Sequence, residues 1–391
     1  FHQNLDPEAI IEQCKKAKEL GYEAVIIDDG WQTLDNKRGY DYTGDWLAER
    51  IPEIKDLVAN LHAIGMKVGL WYSVPFCGNK SRAYSRFKNN LLTRQHRWAP
   101  VLDPRYPAVR EYLINTYTSA VRDWGLDGLK LDFIDEFKVY PETRLTKSDG
   151  RDTASVNEGV TKLLSGVIEQ LCRINPDVFI EFRQKYIGPA IRQYGNMLRA
   201  FDCPNDSNSQ RERIVDVRLL SGITPVHSDM FTWHPDEPVE LAALQLLNAL
   251  FGVPQLSVDL TTVKEDHRRM IRFYTNYWVT NRDILMHGKF TPKNPTACYT
   301  TVSASSAEKT IVVAYSNQVI KQSDTPEMDI INAKRDDQVA LSITSDKKHL
   351  INVYDCMGKL LQSTERLFAT GVHLINVPTS GLIALQEVDH E

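Results

Sequence analysis

The chain is governed by an alternation. Short apolar segments that end in charged or aromatic residues alternate with longer segments whose apolar residues recur at helical spacing, and this continues to about residue 288. Asp6-Pro7-Glu8 reads as a helix start, with Asp as cap and Pro at the first helical position. Ile10, Cys14 and Ala17 then recur on one face, and Gly21 stops the run. Ala24-Val25-Ile26-Ile27 follows as a buried strand that ends in Asp28-Asp29. The unit repeats: a helix over 54–63 leads into a strand over 67–71, one over 107–124 into 129–132, and one over 156–171 into 178–181. Weaker units follow, with strands over 197–201, 225–227 and 254–258. Strands of this length separated by helices pair in parallel through right-handed crossovers. The expected fold is therefore a (β/α)8 TIM barrel. Seven strands follow the first helix, so an eighth should precede it, with Phe1 as its tail. The chain is expected to lack that first strand or to begin inside a larger protein.

After Phe290 the pattern changes to short β-type runs punctuated by Gly358, Gly371 and Gly381. This predicts a catalytic barrel over 1–290 and a C-terminal antiparallel β-sandwich over 291–391. Composition narrows the function classes. Lys and Arg total 46 against 51 Asp and Glu, a formal charge of -5, so no nucleic-acid or anionic-membrane surface is expected. No apolar run is long enough to span a membrane. Residues 1–9 lack a basic region followed by an apolar core, and the sequence leaves cytoplasmic and exported locations open. The six cysteines form no CxxC pair and read as reduced thiols. There is no HExxH, calcium-loop or convincing phosphate-loop spacing; residues from remote strands could still hold a divalent ion, but neither metal nor organic cofactor is expected.

The functional signal is positional. Asp28-Asp29-Gly30-Trp31, Trp71, Lys130-x-Asp132, Glu181-x-Arg183, Asp202 and His227-Ser228-Asp229 all lie at or just after predicted strand ends. In a parallel barrel those ends converge on one mouth. Carboxylates accept hydroxyl hydrogens and indole faces cover C–H surfaces, which suits a neutral polyhydroxylated ligand. The same residues admit structural readings. Asp28 or Asp29 could cap a turn, Lys130 and Asp132 could be an ion pair, and Trp31, Trp46 and Trp71 could be packing residues. Cys77 and Cys203 read as packing thiols, with no adjacent base.

Several of these segments together resemble the melibiase-type α-galactosidases of glycoside hydrolase family 36. The matching segments are Gly21 to Trp31, Gly44-Asp45-Trp46, His62 to Trp71, Leu102-Asp103-Pro104 and Gly128-Leu129-Lys130-Leu131-Asp132, in that order. The resemblance implies a retaining, exo-acting hydrolase that releases terminal α-linked galactose. It implies Asp132 as nucleophile and Asp202 as general acid/base, with Asp206 as runner-up in the segment Phe201 to Asp206. Asp28 and Asp29 match the acidic pair that receives sugar hydroxyls, and Lys130 the basic residue beside the nucleophile. Arg183 matches an arginine after the fifth strand, and Trp31 and Trp71 would form apolar pocket walls. The partner implied is an α-galactoside oligosaccharide or glycoconjugate; a homo-oligomer is compatible with the sequence. Two departures stand out. The segment Glu181 to Pro189 replaces a Cys-x-Ser-Gly-Gly type, which bears on recognition near the sugar's 2-position, and residues 1–391 include no large β-domain ahead of the barrel. A hydrolase for another α-glycone, a transglycosylase and a non-catalytic carbohydrate-binding protein are the alternatives.

The chemistry agrees with the resemblance. A retaining glycosidase needs one carboxyl to attack and a second to protonate the leaving oxygen. Lys130, next but one, would keep Asp132 ionised, and Asp202 must begin protonated.

Overall fold

The computed structural model describes residues 5–35, 37 and 39–388. The chain divides into two compact units, Phe1–Leu198 and Arg199–Glu391. In the first, α1 (Pro7–Glu19), β1 (Ala24–Ile27), α2 (Ile54–Ala63), β2 (Lys67–Ser73) and α3 (Arg82–Phe87) come in succession. A short hairpin of β3 (Leu91–Thr93) and β4 (Val101–Leu102) interrupts the alternation. It resumes with α4 (Pro107–Trp124), β5 (Gly128–Asp132), α5 (Val156–Ile174), β6 (Phe179–Arg183) and β7 (Met197–Arg199). The strands line up in the order β1-β2-β5-β6-β7, and β1–β2, β2–β5 and β5–β6 pair in parallel. In the second unit the last residue of β7 is followed by α6 (Ser207–Ser221), β8 (Val226–Phe231), α7 (Val239–Ala249), β9 (Val253–Leu256), α8 (Glu265–Thr280) and α9 (Arg282–His287). There the sheet order is β7-β8-β9, with β8–β9 parallel. Strands in chain order joined by helical crossovers, with only a 3-10 turn (Ile191–Gln193) between β6 and β7, are the (β/α)-barrel architecture. The expected first strand, with Phe1 as its tail, lies outside the described residues. No helix among the described residues is long and apolar enough to cross a membrane.

Local chemistry explains the elements. Asp6 accepts a hydrogen bond from the amide of Ala9 at 2.8 Å, so α1 starts where the Asp-Pro pair directs it. Gly125 ends α4 in the left-handed region, at φ 77°. A β-carbon on Gly128 would meet the Phe179 ring at 2.2 Å, so the glycine lets β6 close on β5. Every residue of β5 is buried. Each of its two leucines contributes roughly 1.5–3 kcal/mol by leaving water, and Lys130 and Asp132 are held on the same rigid strand.

From β10 (Lys289–Lys293) onward the chain is built of strands: β11 (Thr301–Ser305), β12 (Lys309–Ala314), β13 (Val319–Lys321), β14 (Glu327–Asn332), β15 (Gln338–Ile343), β16 (Lys347–Tyr354), β17 (Leu360–Phe368), β18 (Gly371–Asn376) and β19 (Leu382–Glu387). They form a seven-stranded sheet, β10-β11-β12-β14-β19-β16-β17, and a three-stranded sheet, β13-β15-β18. Inward residues from both sheets, among them Ile330, Leu341, Val353, Phe368 and Ile383, make one core. Most pairings are antiparallel as expected, but β12–β14 and β13–β15 are parallel. The strand between each pair leaves for the other sheet, so the two partners run the same way. Within the second unit, the hydroxyl of Ser380 donates to the carbonyl of Glu240 at 2.7 Å, and the Arg218 guanidinium stacks over Phe290 at 3.9 Å.

Candidate active site

In the first unit the strand ends assemble a compact polar cluster. Side chains two apart on a strand share a face, so Lys130 and Asp132 point together, as do Glu181 and Arg183. The register pairs Lys130 with Glu181, which brings the following residues Asp132 and Arg183 side by side. Arg183 Nε donates to Asp132 Oδ1 at 2.5 Å, the indole N–H of Trp71 donates to Oδ2 at 2.9 Å, and the Phe133 amide donates to Oδ1 at 2.7 Å. Asp132 is 5% exposed. Donors on both oxygens fix the plane of this carboxylate, and hydrogen bonds to a charged group are the strong ones.

The Lys130 ammonium bonds Asp28 Oδ2 at 2.6 Å, and the opposite-charge partner at Asp132 is Arg183. Asp28 also accepts from the Asp29 amide at 2.8 Å, and Asp29 accepts from Gln32 Nε2 at 3.0 Å. The two acids after β1 are therefore held while Asp28 keeps 56% of its side chain exposed. Trp31 and Trp71 have different places. Trp31 is fully buried among Trp46, Tyr72 and Trp124, and its indole N–H donates to the Trp71 carbonyl at 2.9 Å. Trp31 packs behind the cluster, and Trp71 touches the carboxylate. Tyr40 stacks on Trp71 with centroids 5.8 Å apart.

Two residues near Asp132 escape a reading of the sequence. Phe133 takes φ 63°, a conformation that costs a non-glycine residue about 1–2 kcal/mol. It turns its amide onto Asp132, and its ring lies under the Arg183 guanidinium at 4.9 Å. Asp135 is an exposed residue in the short turn Ile134–Glu136; loss of solvent around its carboxyl pushes it up and the nearby Arg183 opposes that. A phenylalanine after a strand reads as core, and Asp135 falls in a loop with no periodic signal.

Other motif residues build the scaffold. Asp45 accepts from the amides of Arg82 and Ala83, each at 2.8 Å, and so anchors the start of α3. Asp103 is fully buried and takes a forked ion pair from Arg105. The hydroxyl of Tyr186 donates to the Leu131 carbonyl at 2.6 Å and accepts from the Arg183 amide at 3.2 Å, tying the departing segment back to β5.

The second unit carries a different cluster. Asp202 follows β7, with its side chain 57% exposed, and accepts from Arg199 Nη2 at 2.8 Å. Arg199 also pairs with the buried Asp229 of β8. Asp229 accepts from the Cys203 amide at 2.7 Å. Gln210 clasps the main chain of Asp229 through both its amide and carbonyl, each at 2.9 Å. Asp206 caps α6 instead, accepting from the Ser209 amide at 3.0 Å. Cys77 and Cys203 are buried thiols pushed up to about 12 and about 11 by loss of solvent, as packing residues should be.

The Melibiase family profile matches residues 2–186. Alpha-galactosidase AgaA of Geobacillus stearothermophilus is 26% identical over 162 residues, 39% of this chain and 22% of that protein. The bifunctional alpha-galactosidase/sucrose kinase AgaSK of Mediterraneibacter gnavus is 25% identical over 184 residues, 44% of this chain and 18% of that protein. Among solved structures, the alpha-galactosidase of Lactobacillus brevis superposes with TM-score 0.69 at 15% identity, over 100% of this chain and 54% of that one. The chain spans about half the length of that structure. Residues 2–186 are thus similar to the Melibiase family, and the fold of the chain is that of the glycoside hydrolase family 36 α-galactosidases.

Proposed function

We propose that the chain carries the catalytic barrel, over 1–290, and the C-terminal β-domain, over 291–391, of a retaining, exo-acting α-galactosidase. The observation that carries this reading is the buried Asp132 carboxylate, aimed by Trp71, Arg183 and the Phe133 amide at the end of a core strand. Asp132 attacks the anomeric carbon as a carboxylate. Arg183 balances its charge and, with the indole N–H, holds it in one orientation, which limits the reorganisation needed in the transition state. Asp202, on the solvent-accessible turn after β7, protonates the leaving oxygen. It then takes a proton from the water that resolves the glycosyl-enzyme. Asp28 and Asp29 receive sugar hydroxyls, with Lys130 fixing Asp28. Asp206 acts as the cap of α6.

AgaA crystals hold raffinose and stachyose, which makes α-galactoside oligosaccharides the first substrates to try. The test is hydrolysis of 4-nitrophenyl α-galactoside by the full-length protein, followed by trapping with an activated fluorosugar and mass spectrometry. Turnover with a covalent sugar on Asp132 is expected. Turnover of another α-glycone only would replace the substrate, and a label on a different residue would overturn the nucleophile assignment.

A further inference from the structure

Asp229 contributes nothing to the reaction as drawn, yet it is the most constrained carboxylate near Asp202. It is 4% exposed and Arg199 is 3% exposed, so the two form a buried ion pair. One Asp229 oxygen takes the Arg199 guanidinium, and the other takes the amide of Cys203, the residue directly after Asp202. The other arm of the same guanidinium reaches Asp202 at 2.8 Å. Asp229 itself cannot drift, because Gln210 holds its amide and carbonyl. Asp202 is thus pinned twice through Asp229, once at the adjoining main chain and once at the carboxylate.

We propose that Asp229 is the positioning residue of the general acid/base: it fixes the turn after β7 and takes up the charge of Arg199, so that Asp202 can hold a proton. This rests on the reading of Asp202 as acid/base. An arginine 2.8 Å from a carboxylate favours the anion, which is the wrong state for an acid that must begin protonated. A second carboxylate on the same guanidinium offsets that bias. Charged groups around Asp202 in this unit include Arg199 from β7, Asp229 from β8 and Arg213 from α6, which donates to the Asp202 carbonyl at 2.6 Å. The neighbouring Cys203 thiol is pushed up to about 11 by burial and stays neutral. Burial is the largest influence on the Asp229 carboxyl and pushes it up, while Arg199 and the Cys203 amide pull the other way.

The test compares Asp229→Asn with the double variant Arg199→Gln/Asp229→Asn in the full-length protein. Asp229→Asn leaves the arginine charge biased toward Asp202. For substrates with sugar leaving groups its kcat/KM is expected to fall about 100-fold, the lower end of what general acid catalysis supplies. With 2,4-dinitrophenyl α-galactoside, whose leaving group needs no proton, the fall should be under about tenfold. The alkaline limb of the pH profile, set by loss of the acid's proton, should move to lower pH. The double variant removes both charges and also covers the case in which a lone buried arginine prevents folding. Its alkaline limb should move to higher pH than in the unaltered protein. Equal losses on both substrates, or an alkaline limb that stays put in the double variant, would overturn the proposal. Asp202→Ala serves as the control: if it shows no leaving-group dependence, the acid/base reading itself fails.

Discussion

The two acidic clusters solve opposite problems. Asp132 is buried and receives donors on both oxygens from a strand, an indole and a backbone amide. Asp202 is more than half exposed and bonds an arginine that it shares with another carboxylate. A group fixed in this way is suited to attack from one direction. A group on a solvent-accessible turn with a shared, partly neutralised cation is suited to give and take a proton. In the proposed reaction it is environment that assigns different work to two identical side chains.

The largest test of this contrast removes each carboxylate in turn. Asp132→Ala should lower kcat by on the order of 10⁴-fold or more. Asp202→Ala should lower it by roughly 10²–10⁴-fold for sugar leaving groups and much less for dinitrophenolate. Azide should return a β-galactosyl azide from Asp132→Ala by direct displacement, and an α-galactosyl azide from Asp202→Ala by attack on the intermediate. NMR of the two products distinguishes them, and the same anomer from both would erase the contrast.

A smaller effect tests the aim of the nucleophile. Trp71→Phe keeps an aromatic ring but deletes the indole donor on Asp132. A hydrogen bond to a charged group is worth about 1.5–3 kcal/mol, so kcat should fall roughly 10- to 100-fold. An unchanged kcat would show that Arg183 and the Phe133 amide suffice. The smallest effect separates Asp206 from Asp202. Asp206→Ala removes a helix cap, should cost about 1 kcal/mol of stability and should lower Tm by roughly 2–4 °C. Its leaving-group dependence should match that of the unaltered protein. A loss confined to poor leaving groups would instead make Asp206 the acid.

These tests also mark what was legible before the fold was known. The strands 24–27 and 129–132 announce themselves because buried apolar runs stop abruptly at charges, and the observed β1 and β5 end there. The identity and strand-end position of Arg183 were equally readable. Its bond to Asp132 was not, because it depends on the register between β5 and β6, across 51 positions of sequence. The bond from Lys130 to Asp28 was hidden for the same reason: nearness along the chain says little about which neighbouring strand a long side chain reaches. Trp31 and Trp71 look alike in sequence, yet one faces the core and the other the carboxylate. In the C-terminal domain β17 escapes the eye because nearly all its residues are exposed, so no alternation marks it.

The bond from Trp71 to Asp132 has an optical consequence. In the proposed cycle, esterification of Asp132 removes a negative charge hydrogen-bonded to the indole nitrogen at 2.9 Å, and hydrolysis restores it. The excited state of an indole is sensitive to a charge so close to its pyrrole edge. If Asp132 is the nucleophile proposed above, the emission of Trp71 would change with the covalent state of its neighbour and would follow single turnovers without a chromogenic substrate.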